Sequence, residues 1–444
     1  MSSSVSSGPS VSTKPSGDGQ RRHPHFGVNA ALDRVAKRVP TRAPSGARVY
    51  APERWLVRRL LQAIGNPPVH FVLWDGQAIS GADGPPIARV LIRDRPTFLK
   101  LIADADFHFG DAYAAGRIDV EGDLLGLLEY VYRAESNRWR PPGRLRAAVA
   151  SWLARVESNT LAGSRSHIQH HYDIGNDFYE LWLDKNLVYT CAYFPSPEMT
   201  LEAAQSAKMD LICRKLWLRP AETVVEAGCG WGGLARHMAR NFGVSVKAYN
   251  VSHEQVEYAR ARARAEGLDR QVEFIEDDYR NVAGQFDAFV SIGMLEHVGF
   301  DHYRRLGGVI DRCLKPGGRG IVHSIGRDWP GPVNRWIERR IFPGAQLPSL
   351  RQMTEVFEPW KLSILDVENL RLHYAETLKH WLVRFDAARD RVTAMFDEPF
   401  VRAWRLYLIG SIAGFTTGTL QLFQILFTRN AMNEIPWSRQ RMLG

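Results

Sequence analysis

The chain has 444 residues, 45% of them hydrophobic, which is too long for one compact core and ordinary for a soluble globular protein of two domains. Lys and Arg exceed Asp and Glu by 57 to 48, a formal charge of +9, so a polyanionic partner is expected, either nucleic acid or an anionic membrane surface. The four cysteines, Cys191, Cys213, Cys229 and Cys313, form no C-x-x-C pair, which argues against a disulfide framework or a zinc site and fits a reducing cytoplasm.

Residues 1–20 are rich in Ser, Gly and Pro and read as a disordered tail, and residues 21–49 form a basic arm; neither carries an export signal. From Pro52 the spacing predicts a basic amphipathic helix, with Trp55, Leu56, Leu60, Leu61 and Ile64 on one face and Arg54, Arg58 and Arg59 beside or opposite it. Val69 to Trp74 and Pro86 to Ile92 read as strands, followed by helices at Phe98 to Ala103, Gly110 to Ala115 and Leu124 to Tyr132. The Pro141-Pro142-Gly143 break closes a small α+β domain, residues 50–143, suited to lipid or dimer contacts. Asn66-Pro67-Pro68 is set aside as an amino-methyltransferase motif, because Val69 follows where an aromatic is needed.

The rest, residues 144–444, alternates strand and helix and predicts a doubly wound α/β sheet of the Rossmann-like class. It opens on another basic amphipathic helix, Arg144 to Val156, and then on a stretch dense in aromatics that holds His167, His170 and His171. Those histidines lack a partner at metal spacing, so no metal is expected. Strand Thr223 to Ala227 runs into Gly228, Gly230 and Gly232 and then a helix from Leu234, a turn whose backbone can approach a ligand closely. The glycines also fit the dinucleotide fingerprint. Glu226, two residues before the first glycine, would repel a pyrophosphate and attract the ammonium and sulfonium of S-adenosylmethionine; the next strand ends at Asn250, without the acid a nicotinamide ribose wants.

Strands Ser245 to Val251, Val272 to Glu276, Phe286 to Met294, Gly320 to Ser324 and Leu362 to Leu370 follow, with helices Glu254 to Glu266, Tyr303 to Cys313 and Glu376 to Asp386. Leu406 to Thr428 carries no charge, yet Thr416, Thr417, Gln421 and Gln424 and a glycine break within it favour a buried helix plus a last antiparallel strand over a membrane span. Ligands in such a sheet bind beyond the carboxyl ends of the strands, where Glu296, His323 and Tyr374 stand; together they could orient a small oxyanion or a proton acceptor.

The segments HYDIGNDFYELWLD, VYTCAYF, EAGCGWGGLARHMA, SIGMLEHVG, LKPGG and IFPGAQLPS, in this order, resemble the cyclopropane-fatty-acyl-phospholipid synthase family from about His167 to Arg429. The resemblance implies transfer of a methylene from S-adenosylmethionine to the cis double bond of a phospholipid acyl chain, through a carbocation deprotonated by bound bicarbonate. It implies that Glu296, His323 and Tyr374, with the backbone N–H of Cys191, hold the bicarbonate, and that His171 is a further active-site residue. Tyr189 and Thr190 would grip the methionine carboxylate, Gly228 and Gly230 line the adenosyl cleft, Asn250 and Gln255 contact the ribose, and Val251, Asp278 and Tyr279 flank the adenine. Asn250 stands where Thr is usual, and Ser411 where many members carry Cys. The implied partner is unsaturated phospholipid at the inner face of the cell membrane, approached from the cytoplasm, with a homodimer compatible. A relative making methyl- or methylene-branched chains is the alternative within the class. A nucleic-acid methyltransferase is disfavoured, because SIGMLEHVG stands where its N-P-P-aromatic motif belongs, and a non-catalytic lipid binder would rest only on the Asn250 and Ser411 departures.

Overall fold

The structure is a computed structural model that describes residues 48–138, 174–429, 435–436 and 438–440. The tail, nearly all of the basic arm, the helix expected at 144–156 and the histidines at 167, 170 and 171 therefore lie outside the described residues.

The N-terminal module is a four-stranded sheet with helices around it. Its strands are β1 (Val69–Val72), β2 (Ala78–Ser80), β3 (Ala88–Ile92) and β4 (Ile118–Gly122), in the order β2-β1-β3-β4. β2 and β4 were not legible in the sequence: β2 has three residues, and the IDVEG of β4 has only two apolar ones. Asp94 and Asp104 start consecutive helices, Arg95–Ala103 and Ala105–Ala114, by accepting from the N–H groups of Thr97 and Phe107 at 2.8 and 3.3 Å. In the helix Ala51–Ala63 Glu53, Val57 and Leu61 are buried, with Leu56, Leu60 and the C-cap Ile64 partly buried, so of the predicted face only Trp55 points outward. Trp55 is 54% exposed, with the guanidinium of Arg59 5.2 Å from its ring. Helical period sets Trp55 roughly 200° around the helix from Glu53, whose carboxylate bonds Arg95 at 2.5 Å and the Tyr50 N–H at 2.7 Å.

The larger C-terminal part carries a seven-stranded sheet of β5 (Thr223–Ala227), β6 (Ser245–Asn250), β7 (Val272–Glu276), β8 (Phe286–Ile292), β9 (Leu314–Gly326), β10 (Leu362–Asn369) and β11 (Gln421–Arg429). The order is β10-β11-β9-β8-β5-β6-β7, with β11 antiparallel to both neighbours and β5 to β9 parallel. Successive residues supply opposite cores: Val224, Val246 and Val290 pack under one face, Val225, Phe289 and Val322 under the other. The helix Tyr303–Cys313 ends where the sequence places its end, and the LKPGG stretch after it is the irregular start of β9, where the pairing with β8 shifts between Phe286 and Ala288.

The uncharged run resolves as expected into the helix Glu398–Thr417, ended by Gly418 at φ +83°, and β11. Among the described residues no helix is long and apolar enough to cross a membrane. This helix joins the two domains. Its Arg402 donates to the carbonyls of Tyr113 and Ile118 at 2.7 and 3.1 Å and to Asp119 at 2.9 Å. Alongside, Trp336 lies on Gly110, where any Cβ would come within 2.3 Å of the indole, and donates to Asp111 at 3.1 Å.

Candidate active site

The glycine turn leaves β5 with Gly228, Gly230 and Gly232 all at positive φ, and Gly232 caps the helix Gly233–Phe242 in the left-handed conformation. The three serve different ends. A Cβ on Gly232 would meet the Phe274 ring at 2.5 Å, so this glycine is needed for packing, whereas a Cβ on Gly230 would meet nothing within 4 Å. Gly230 thus faces open space, on the side where backbone can approach a ligand. Asn250 at the end of β6 reaches the same turn, its amide nitrogen 3.3 Å from the Gly230 carbonyl and 2.7 Å from Oε1 of Gln255. Nε2 of Gln255 and Oε2 of Glu226 are buried with no hydrogen-bond partner among the described residues. Val251 follows, its N–H on Asn250 at 2.9 Å. Beyond β7, the Asp278 carboxylate holds Arg280 through both oxygens at 2.7 Å, and burial pushes the Tyr279 phenol up to about 12. Unpartnered buried polar atoms beside a glycine turn that is open at Gly230 suit a polar ligand.

A buried layer lies beneath. Burial raises the Glu226 carboxyl to about 8 and lowers the Lys208 ammonium to about 8, while each charge pulls the other back toward ionisation. Lys208 Nζ donates to Oγ1 of Thr190 at 2.9 Å, and Nε2 of Gln205 one turn earlier donates to the carbonyls of Val188 and Thr190 at 3.1 and 2.9 Å. The segment carrying Tyr189 and Thr190 is thereby pinned from the helix Leu201–Lys215. The Tyr189 hydroxyl is 2.8 Å from that of Tyr407.

Above this layer is a cavity of about 670 Å³. Of the residues expected from sequence, Tyr189, Thr190, Cys191, Glu296, His323 and Tyr374 line it, and so does Ser411. Glu296, in the turn Leu295–His297 after β8, accepts from the Ile325 N–H through Oε1 at 2.5 Å. Its Oε2 is buried without a partner among the described residues, and burial raises the carboxyl to about 7. His323, on β9, has Nδ1 3.2 Å from the Gln424 amide nitrogen on β11, and its Nε2 is also buried and unpartnered. Burial lowers the ring to about 3, so it is neutral; with Gln424 donating to Nδ1, the ring proton sits on Nε2. Tyr374 opens the helix Arg371–Ala387, stacked on Phe415 at 4.7 Å and edge-on to Trp381 at 5.9 Å. Burial pushes the Cys191 thiol up, which keeps it protonated. Much of the remaining wall is apolar, including Ile325, Phe342, Leu347, Leu378 and Leu422.

The expected residues thus fall into two neighbouring groups. Glu226, Gly228, Gly230, Asn250, Val251, Gln255, Asp278 and Tyr279 gather at or beyond the glycine turn, the others at the cavity. Met294 and Gly293 join them: a Cβ on Gly228 would sit 3.1 Å from Met294, and one on Gly293 3.0 Å from Thr190. His171 lies outside the described residues, and among those described no cluster of metal ligands occurs. Sequence reasoning missed Lys208 and Gln424. The signal for Lys208 was a lysine on the apolar face of the helix Leu201–Lys215, a face that also buries Lys215 two turns on.

A mostly parallel seven-stranded sheet with an antiparallel β11 inserted beside β9, and a glycine turn after β5, defines the fold of the class I S-adenosylmethionine-dependent methyltransferases. Within that class the chain belongs to the mycolic acid cyclopropane synthetase family, whose sequence profile matches residues 160–425. A second profile, for a domain of unknown function, matches residues 56–141. The chain is 33% identical to a probable fatty acid methyltransferase of Pseudomonas putida, over 84% of this chain and 96% of that one. It is 41% identical to the cyclopropane-fatty-acyl-phospholipid synthase of Escherichia coli K12, over 61% of this chain and 69% of that one. Among solved structures it is similar to the mycolic acid cyclopropane synthase CmaA1 complexed with SAH and CTAB, with 28% identity and a TM-score of 0.57, covering 60% of this chain and 98% of that one.

Proposed function

We propose that this protein forms cyclopropane rings at cis double bonds in the acyl chains of unsaturated phospholipids. One observation carries the reading: a largely apolar cavity has a polar end where Oε2 of Glu296 and Nε2 of His323 are buried without partners among the described residues, an acceptor and a donor awaiting a small group. When bound, S-adenosylmethionine would supply an electrophilic methyl, held by Tyr189 and Thr190 at its methionine end, by Asn250 and Gln255 at the ribose and by Gly228 and Gly230 along the adenosyl group. Glu226 would face its cationic end, and Val251, Asp278 and Tyr279 would flank the adenine. Bicarbonate would supply the base, held by Glu296, His323, Tyr374 and the Cys191 N–H. A neutral His323 donating through Nε2 suits an oxyanion, and the apolar walls exclude water that would quench positive charge developing in the chain. No step requires the Cys191 thiol or a thiol at Ser411.

The second reading, a methyl- or methylene-branched product, is favoured by the description of the Pseudomonas putida relative as a probable fatty acid methyltransferase. The two differ in where the proton leaves.

The setting we propose is peripheral, at the cytoplasmic face of the cell membrane, with unsaturated phospholipid and not nucleic acid as partner. It is supported by the net charge of +9 and by the exposed Trp55 beside Arg58 and Arg59. Binding to anionic vesicles should weaken with salt, and equal binding to neutral vesicles would refute it.

The test is mass spectrometry of unsaturated phospholipid vesicles after incubation with the protein and S-adenosylmethionine. The expected product gains one CH₂ and loses its double bond, at a rate that falls when bicarbonate is removed and recovers when it is restored. A product retaining a double bond selects the second reading, and no product refutes both.

A further inference from the structure

A second cavity, of about 190 Å³, is walled mostly by the N-terminal module, through Leu60, Phe71, Leu127 and Val131, and is closed by Trp336 and Leu406 of the other domain. Asp106, Tyr132, Glu135, Asn334, Ile337 and Gly410 line both cavities, so the two meet at one junction. That junction is polar. It holds the carboxylates of Asp106 and Glu135, the Tyr132 hydroxyl and the Asn334 amide, and the Arg327 guanidinium on the catalytic side lies within electrostatic reach of Glu135, Tyr132 and Asp106. Asn334 and the Arg335 N–H, the latter at 2.9 Å, both bond Asp106 and fix the rim. Gly410 stands at this junction, where a Cβ would come into ordinary contact with the Tyr132 hydroxyl at 3.5 Å and with Leu128 at 4.0 Å.

A polar junction between two apolar pockets is complementary to a molecule with a polar centre and two apolar tails. We propose that the cavity in the N-terminal module seats the second, non-reacting acyl chain of a two-chain lipid, whose head group rests at the junction while its unsaturated chain enters the catalytic cavity. This rests on the reading that the substrate is a phospholipid. The alternative occupant, the far end of the reacting chain itself, would have to drag methylenes past two carboxylates and a guanidinium, desolvating charges that a head group would instead satisfy. The N-terminal module is then a selector for diacyl lipids.

The experiment compares two substrates in mixed detergent micelles: a phospholipid with one cis-unsaturated and one saturated chain, and the lysophospholipid with the same head group and the same unsaturated chain. Val131→Phe puts a ring into the second cavity from a partly exposed helix position, at a site with no part in the chemistry. It should lower kcat/KM for the diacyl lipid by about tenfold and leave the lysolipid unchanged. A parallel fall on both, or no change on either, overturns the proposal. Should the variant fold poorly, the unaltered protein is photolabelled with a diacyl lipid carrying a diazirine near the methyl end of its saturated chain. Label is expected in the helices Ala51–Ala63 and Leu124–Arg138; label confined to residues that line the catalytic cavity alone, such as Phe342, Leu347 and Leu378, overturns the proposal. Absence of transfer to either lipid refutes the proposed function, while the labelling still decides the second seat.

Discussion

Gln424 and His323 face each other across the antiparallel pair β9–β11, in register, with the amide nitrogen of one 3.2 Å from Nδ1 of the other. The strand that closes the sheet thereby sets the proton position of a ring on its neighbour. Gln424→Leu should leave Nδ1 without its donor, release the ring to the other tautomer and lower kcat by about 10- to 100-fold, the worth of a buried hydrogen bond left unmade. Cofactor affinity, measured by calorimetry, should stay within about twofold. An equal loss in both would show that Gln424 supports packing alone.

Glu226 should give binding of the proposed cationic cofactor a pH dependence. Burial holds its carboxyl up at about 8, with Lys208 and Arg236 drawing it down, so near neutrality it is largely protonated. A cationic ligand favours the carboxylate and releases that proton. Affinity for S-adenosylmethionine should therefore rise as pH approaches about 8, by at most about tenfold per pH unit, and level off above. Glu226→Gln should abolish the slope in calorimetric titrations.

The same shifts have a consequence for stability, with a defined sign. A carboxyl whose folded pKa is raised contributes stability that is fully present below its ordinary 4.5 and is lost as pH rises through the folded value, about 7 for Glu296 and about 8 for Glu226. Glu296→Gln should flatten the fall in Tm between pH 5 and about 7, and Glu226→Gln the fall up to about 8. An unchanged Tm profile in either variant would mean that its carboxyl is ionised in the fold.

Gly230 and Gly232, two residues apart in one turn, should behave oppositely when given a methyl group. Gly230→Ala meets nothing in the fold and costs about 1 kcal/mol for the left-handed backbone, yet its Cβ occupies the face a ligand needs, so binding of S-adenosylmethionine should collapse while Tm barely moves. Gly232→Ala drives a carbon to 2.5 Å from the Phe274 ring and should lower Tm substantially. Equal effects on Tm would remove the distinction.

Arg402 tests the union of the domains. Replacing it with Met leaves the Tyr113 and Ile118 carbonyls and Asp119 short of a buried cation, and should destabilise the fold by about 3 kcal/mol in denaturant titrations. Proteolysis of the N-terminal module should quicken with it. A stability within about 0.5 kcal/mol of the parent would make the contact incidental.

The sequence by itself determined what repeats along the chain or is written in local chemistry. Alternating strands and helices, the glycine turn after β5, and the break that divides Leu406 to Thr428 into a helix and β11 were all legible, because periodicity and backbone preference act over a few residues. Short runs defeated it: β2 and β4 exist because neighbouring strands pair with them, not because AIS or IDVEG demands a strand. The helical period already sets Trp55 opposite Glu53 and Val57, whereas the partner of Glu53, Arg95, lies far along the chain and is found only in the fold. Glu296, His323 and Tyr374 could be named from their positions at strand ends, and the structure brings all three to one cavity. Their states could not be read, since a carboxyl near 7 and a neutral imidazole arise from burial, which is a property of the packed whole. Lys208 beneath Thr190, Gln424 behind His323 and the polar junction between two cavities follow only from tertiary structure, because each joins side chains that the sequence holds many residues apart.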